Sequence, residues 1–350
     1  MGLDYQMVLW NKHKKTYDRL IALGMVLYLV VFAGLTFAFN SETSIETLVI
    51  RSFGSLAVIM LHIILVIGPL SRLDSRFMPL LYNRRHLGVS MFLAALIHGG
   101  FSIFQFHALG DVNPIYSIFT SNMEYGSLTQ FPFQVLGFLA LLILFAMAAT
   151  SHDFFLKNLS PKVWKRLHML VYLAYALIIM HVFLGAFQQE TSPFTMGFLI
   201  VGFFVVAGLH VTAGVKEVRK DSNGPEEDER GWLQVCAISE IEDTRAKIFT
   251  VGKERVAIFK HEGKLSAVHN VCKHQGGPLG EGKIIDGCIT CPWHGYQYLP
   301  HNGQSPPPFT EKIATYELKL IGATVYINPE PRPEGTEVTP VYIHDRDEEE

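Results

Sequence analysis

Cysteine is scarce in this 350-residue chain. There are four, Cys236, Cys272, Cys288 and Cys291, all in the last third. So few, placed so late, exclude a secreted disulfide scaffold and leave ligand-type spacing in a reducing compartment as the better reading. Charge is thin between positions 20 and 215, whereas 216–350 hold most of the acids. Excess positive charge is missing as well: the formal net charge is −3, which gives no reason to expect nucleic acid as a partner. No G-x-G-x-x-G follows a strand-like segment and no Walker loop occurs, so no nucleotide site is legible. A cleavable leader is not legible either. The basic start (Lys12, Lys14, Lys15, Arg19) precedes an apolar run of spanning length with no small-residue cleavage site after it, so the run reads as a first membrane span.

What the chain has in excess is apolar sequence, 49% of residues with a mean hydropathy of +0.24. Runs long enough to cross about 30 Å of hydrocarbon fall near Leu20–Phe39, Ser52–Leu70, His86–His107, Phe133–Thr150, Val163–Phe187 and Phe194–Gly214. The expected architecture is therefore multi-domain. An all-α six-helix transmembrane bundle covers 1–215, a charged flexible linker 216–230, a small all-β domain 231–330 and an acidic tail 331–350. Lys and Arg gather at alternate ends of the spans: 12–19, then Arg72, Arg76, Arg84 and Arg85, then Lys157, Lys162, Lys165 and Arg166, then Lys216, Arg219 and Lys220. The opposite face carries only Arg51. Since cytoplasmic loops accumulate Lys and Arg, both termini and the β domain are expected to be cytoplasmic. The outer stretch Leu109–Gln130 reads as a plain connector, with aromatics that suit a membrane interface.

Ionisable side chains are costly within the bilayer and mark function. "RRHLGVSMFLAALIHGG" sets His86 and His98 on the third span, and "WKRLHMLVYLAYALIIMH" sets His168 and His181 on the fifth. Twelve or thirteen residues are roughly 18–20 Å of helix rise, so each span offers a shallow and a deep imidazole. Both spans run the same way, which predicts the pairs His86 with His168 and His98 with His181. Each pair would give an iron two axial nitrogens. Hydrogen-bonding glue between helices is the plainer role for any one of them. His62 and His210 are rivals to His86 for the shallower site, and Gly88, Gly99 and Gly100 are candidates for close approach of a flat cofactor. The angular fit along straight helices is imperfect and requires tilt or a local bulge.

With "NRRHLGV", His98 and "LSPKVWKRLHMLVYLAYALIIMH", residues 20–215 resemble the ferric-reductase-like transmembrane family. Within it they are similar to the haem-binding membrane subunits of bacterial periplasmic methionine-sulfoxide reductase systems. The resemblance implies b-type haem, two groups if both levels are filled, and electron transfer across a bacterial inner membrane. His98, His168 and His181 match the family's haem histidines. His86 departs from that branch, which keeps His62 and His210 in play.

In the C-terminal third, Cys272-x-His274 and Cys291-x-x-His294 form an interleaved C-x-H … C-x-x-H pattern. Two cysteines and two histidines suit zinc, or a two-iron cluster with thiolates on one iron and imidazoles on the other. Zinc fingers usually keep their cysteines together and their histidines together. The interleaving, with "GGPLG" and "CPWHGY", resembles a Rieske [2Fe-2S] domain from about Trp232 to Ile327. By that resemblance Cys272 and Cys291 hold the buried iron, and His274 and His294 the outer one. The resemblance also implies a ferredoxin-type, lower-potential cluster, because Gly277 and Trp293 stand where high-potential relatives carry a disulfide and Tyr296 where they carry a serine, with Tyr298 retained. Cys236 and Cys288 read as packing residues. "RVAIFKHEGKLSAVHNVC" and "ATYELKLIGATVYIN" read as alternating strands around Gly turns.

The combined expectation is transmembrane electron transfer between a cytoplasmic [2Fe-2S] cluster and haem b in the bundle. A soluble cytoplasmic electron donor or acceptor protein would serve one end, and an acceptor or a quinone at the membrane or outer face the other. The alternative is a membrane quinone/quinol oxidoreductase.

Overall fold

The computed structural model describes residues 12–152, 159, 161–189, 193–222, 226–227, 231–252, 254–274, 276–293 and 295–343. Its first part is helical: α1 Lys12–Phe39, α2 Ile45–Leu73, α3 Arg84–His107, α4 Pro114–Thr120, α5 Phe133–Ala149, α6 Pro161–Met169, α7 Val171–Gln189 and α8 Pro193–Ser222. A 3₁₀ helix, Ser75–Asn83, links α2 to α3. Five of the described helical stretches are long and apolar enough to span a membrane, and α5 is a sixth apolar helix of 17 residues. Among the described residues the six expected spans become eight helices. The extra two arise where the fifth span breaks at Leu170 and where the 109–130 segment folds into α4.

The break lies between His168 and His181, where straight-helix geometry demands an angular correction. The 109–130 segment, expected as a plain connector, is not one. Asn113 Oδ1 accepts from the backbone N–H of Ile115 and Tyr116 and caps α4, with Pro114 preset for the first turn. Residues Leu20, Leu23, Val26, Leu27 and Val30 on α1 are all exposed within the chain. Such a surface is stable only against lipid or another apolar partner. The expected linker 216–230 begins as helix, since α8 runs on to Ser222.

The C-terminal part is all β: β1 Glu226–Glu227, β2 Leu233–Ala237, β3 Ala246–Val251, β4 Glu254–His261, β5 Lys264–His269, β6 Lys283–Ile285, β7 Cys288–Thr290, β8 Gln297–Tyr298, β9 Thr315–Tyr316, β10 Leu318–Ile321, β11 Thr324–Ile327 and β12 Val341–Tyr342. These form antiparallel sheets in the orders β1-β2-β11-β10, β12-β5-β4-β3 with β9 also on β5, and β6-β7-β8.

Strand β4 explains the layering. Val256 and Ile258 enter one core with Cys236, Val325 and Ile327, while Ala257 and Phe259 enter another with Leu279, Ile289 and Ile313. The middle sheet is covered on both faces, so β4 reads as an unbroken apolar run where a one-sided strand would alternate. This corrects the expected alternation. Burying each of Val256, Ile258 and Phe259 contributes about 1.5–3 kcal/mol. The expected tail at 331–350 is partly built into the fold: Arg332 N–H donates to Thr315 O, Val338 N–H to His301 O, and β12 pairs with β5.

By internal contacts the described residues of Leu9–Pro69 and Asn83–His210 form one compact unit, and those of Leu70–Tyr82 and Val211–Glu350 another.

Candidate metal centres

In the helical unit, the imidazoles of His98 on α3 and His181 on α7 are neighbours, with ring centroids 6.1 Å apart and planes 76° from parallel. Each is held in the same way. His98 Nδ1 lies 2.9 Å from the carbonyl oxygen of Ile50 on α2, and His181 Nδ1 lies 2.8 Å from that of Phe133 on α5, 48 positions upstream in both cases. Four residues beyond each carbonyl is a glycine under the imidazole. A Cβ on Gly54 would come within 2.7 Å of His98 Nδ1, and one on Gly137 within 2.7 Å of His181 Cε1. Carbonyl, glycine and histidine of the second set each lie 83 positions after their counterparts.

The chemical consequence lies in the tautomer. An Nδ1–H donating to a carbonyl fixes the ring and leaves Nε2 as the lone-pair nitrogen, the usual way a metal-ligating histidine is oriented. Two such nitrogens on one metal, at about 2.0–2.1 Å per bond, set ring centroids on the order of 6 Å apart. The donor set and its spacing therefore fit a six-coordinate haem iron.

The other intramembrane histidines are engaged differently. His86 Nδ1 sits 2.9 Å from both carboxylate oxygens of Asp18 on α1. His168 is stacked on Trp164, centroids 3.9 Å apart, with Nε2 3.4 Å from Thr150 Oγ1. Among the described residues the ring-to-ring contact between histidines of α3 and those of α6 and α7 is that of His98 and His181; His86 meets Asp18, and His168 meets Trp164 and Thr150. His62 uses both nitrogens, Nδ1 on Val58 O at 2.8 Å and Nε2 on the Tyr175 hydroxyl at 3.2 Å. His210 does likewise with Val206 O at 2.9 Å and the Tyr172 hydroxyl at 3.2 Å. Gly88 and Gly100 have open space where a Cβ would be, and Gly99 meets Leu141. The glycines in contact with histidines are Gly54, Gly137 and Gly202, the last beneath His62. Sequence reasoning missed them.

In the C-terminal domain two loops share one design. The loop between β5 and β6 has Gly276 N–H donating to Cys272 O at 2.7 Å and Cys272 N–H to Gly277 O at 2.9 Å. The loop between β7 and β8 has Gly295 N–H donating to Cys291 O and Cys291 N–H to Tyr296 O, at 2.9 and 2.8 Å. Gly276 and Gly295 take φ of 73° and 76°, a conformation nearly reserved for glycine. These turns bring Cys272 and Cys291 into one buried core with Tyr296 and Tyr298, and none of the four cysteines is in a disulfide.

The loops also touch each other. His274 stacks on Tyr296 with centroids 4.8 Å apart and planes 8° from parallel. A Cβ on Gly277 would approach Cys291 Sγ to 2.8 Å and the Trp293 indole to 3.1 Å. Gly277 and Trp293 are therefore neighbours, and the indole packs where high-potential relatives are implied to carry a disulfide. His294 lies outside the described residues, and among those described no three His, Cys, Asp or Glu side chains gather as a metal-binding group. The cradle at Gly277, the two buried thiols and the twin turns fit a [2Fe-2S] cluster.

Around the thiols the hydroxyls are distributed unequally. Lys273 N–H donates to Tyr298 Oη at 3.0 Å, which leaves the Tyr298 proton for Cys272 Sγ, 3.4 Å away. Tyr296 gives its proton to the Glu311 carboxylate. Burial, then Glu311, pushes the Tyr296 phenol far above its ordinary range. Burial, then the Cys272 sulfur, does the same to Tyr298. Both remain protonated donors at any physiological pH. The remaining thiols are inert: burial raises Cys236 to about 11, and burial followed by Asp286 raises Cys288.

Two family matches decide what this arrangement is. Residues 231–317 match the Rieske [2Fe-2S] domain, and residues 53–179 match the ferric reductase like transmembrane component. The chain is a ferric-reductase-like membrane domain joined to a Rieske domain. The ferredoxin component of the alkene monooxygenase system of Xanthobacter autotrophicus is 34% identical over 113 residues, covering 32% of this chain and 93% of the relative. The ferredoxin subunit of anthranilate 1,2-dioxygenase of Burkholderia cepacia is 29% identical over 98 residues, 28% of this chain and 91% of that protein. A solved complex of reduced oxygenase and oxidized ferredoxin in carbazole 1,9a-dioxygenase is 27% identical, with a TM-score of 0.28, covering 29% of this chain and 97% of that one. The Rieske domain is of the kind found as ferredoxin in oxygenase systems, here carried by an integral membrane electron-transfer protein.

Proposed function

We propose that this protein moves electrons across a bacterial inner membrane, between a cytoplasmic partner protein at its Rieske domain and an acceptor on the outer face. In this reading a membrane haem domain over 1–215 is joined to a Rieske domain over 231–330. A bound [2Fe-2S] cluster and two b-type haems would supply one-electron redox centres at successive depths. Cys272 and Cys291 would hold one iron of the cluster, and His274 and His294 the other. His98 and His181 would ligate the outer haem through Nε2, their Nδ1–H groups being occupied by backbone carbonyls.

His86 and His168 are our choice for the inner haem. Asp18 on His86 Nδ1 acts as the Ile50 carbonyl does on His98, again leaving Nε2. The rivals His62 and His210 have both nitrogens hydrogen-bonded inside the bundle, whereas His168 would give up a single longer contact, Nε2 to Thr150 Oγ1 at 3.4 Å. The cytoplasmic side rests on the basic flanks.

The single observation that carries the proposal is the His98–His181 pair, held ring to ring by matching backbone bonds. The test is a redox-poised optical and EPR titration of the purified full chain with its native metals. A Rieske EPR signal and low-spin bis-histidine haem bands are expected, the haem content falling in His98→Ala and in His181→Ala. Unchanged haem in both variants refutes the pairing.

A second reading, quinol oxidation, rests on Tyr172 and His210. Their hydrogen-bonded pair lies where Tyr172 is 43% exposed on the helical surface, open to a lipid-soluble hydroxyl donor. Quinol turnover by the purified chain without soluble partners favours this reading over the first.

A further inference from the structure

The relation between the two histidine holders extends one step further along the helices. Seven positions after His98 is Gln105, and seven positions after His181 is Gln188. Seven residues bring a helix back to within about 20° of the same face and roughly 10.5 Å further along its axis. Helical side chains lean towards the N-terminus, so both glutamines lean back towards the imidazoles. They lie on the outer-face side of the pair, where the flanks supply only Arg51 as a cation.

The polar atoms of the glutamines are unequally used. Gln188 Nε2 donates to the carbonyls of Leu128 and Phe131, at 3.3 and 3.0 Å, and is fixed to the outer loop. Gln105 Oε1 is buried with no hydrogen-bond partner among the described residues. An unmet carbonyl inside an apolar bundle is costly, and a guest that donates to it removes that cost. A free carboxamide both donates and accepts, so Gln105 can receive a carboxyl group in either protonation state, whereas Gln188, its amide hydrogens spent on the loop, offers its carbonyl to a protonated one. A b-type haem carries two such groups on one edge.

We propose that Gln105 and Gln188 close the outer end of the histidine pair as hydrogen-bonding partners for the two carboxyl side arms of the haem held by His98 and His181. The inference rests on the haem reading above and deepens it, assigning two residues to the pocket that bear no relation to iron ligation. Loss of either amide removes a bond to a charged or strongly polar group. Release of haem is then expected to quicken on the order of tenfold.

The experiment uses the full chain in detergent. Purified wild type, Gln105→Met, Gln188→Met and Gln105→Glu are mixed with excess apomyoglobin, the haem transfer rate is followed optically, and resonance Raman bands of the haem carboxyl groups are recorded. Each Met variant is expected to retain bis-histidine haem but release it about tenfold faster, with those bands shifted. Gln105→Glu, which sets a second carboxyl against the first, is expected to release it faster still. Wild-type rates and unshifted bands in all three variants overturn the proposal, whatever the loading. Should a Met variant fail to fold, judged by helicity and elution, Gln105→Glu carries the same test. If wild type holds no haem, or His98→Ala and His181→Ala keep theirs, the haem reading itself has failed. If those controls behave as expected and only the glutamine variants are silent, the haem reading stands and this inference falls.

Discussion

Replacing Gly137 by alanine isolates the support of one imidazole without touching a ligand. The added Cβ would lie 2.7 Å from His181 Cε1 and 2.8 Å from Nδ1, whereas ordinary contact begins at 3.4 Å. The ring must therefore retreat by roughly 0.7 Å. It is tethered by a 2.8 Å bond to Phe133 O, and a retreat of that size stretches the bond to the edge of hydrogen-bonding range. Disturbing the group that orients a metal-bound histidine typically costs 10- to 100-fold in affinity, or about 1.4–2.8 kcal/mol. Intrinsic helix propensity acts the other way, since Gly→Ala favours helix by about 0.8–1 kcal/mol. The two effects separate cleanly: the fold should survive while haem is lost. The assay is haem per chain by pyridine haemochromogen, together with the reduced absorption spectrum. Gly54→Ala should behave as Gly137→Ala does, because its Cβ would meet His98 Nδ1 at 2.7 Å, and Gly100→Ala, with open space around it, should bind haem as wild type. Full haem content and an unchanged spectrum in Gly137→Ala would falsify the reasoning.

Further outcomes concern the Rieske domain. Tyr298→Phe removes the hydroxyl 3.4 Å from Cys272 Sγ and is expected to lower the cluster midpoint potential by about 20–60 mV, the equivalent of about 0.5–1.5 kcal/mol for one electron; Tyr296→Phe, whose proton is spent on Glu311, should shift it far less. An EPR-monitored titration separates the two, and equal shifts would contradict the assignment of the protons. Cys272→Ala and Cys291→Ala should each abolish iron, while Cys236→Ala and Cys288→Ala keep it. The Cys236 thiol, raised to about 11 by burial, is protonated at pH 8 in the folded chain, and unfolding returns it to the ordinary thiol range of about 8.5, where an exposed thiolate fraction reacts, so alkylation at pH 8 should label it only after denaturant is added. Rapid labelling of Cys236 in the native protein would refute this.

The legible parts of the molecule were those whose chemistry is carried by side-chain identity. Cys272 and Cys291, paired by their motif, come into one core, and His98 and His181, paired by position along parallel spans, come ring to ring. What escaped is carried by backbone. Ile50 and Phe133 act through carbonyl oxygens, which no side-chain pattern reports. Gly54 and Gly137 looked like any small residue on an apolar helix, while Gly88, Gly99 and Gly100 drew the eye by lying beside histidines in the sequence. Setting the chain against itself at an offset of 83 would have aligned Gly54 with Gly137, His98 with His181 and Gln105 with Gln188. The break at Leu170 was required by helix angle but not locatable from it. Strand β4 misled because a doubly covered strand gives no alternation, and the 331–343 segment misled because its anchoring to β5, Thr315 and His301 is again mainly backbone hydrogen bonding.

The carbonyl tethers have an evolutionary corollary. Any amino acid supplies that oxygen, so positions 50 and 133 are free to drift among residues that keep the helix, whereas the glycines four places on have no substitute of equal size. A search for related proteins that weights the glycine–histidine combination, and ignores what occupies the tethering position, should recover distant members that a ligand-only signature passes over.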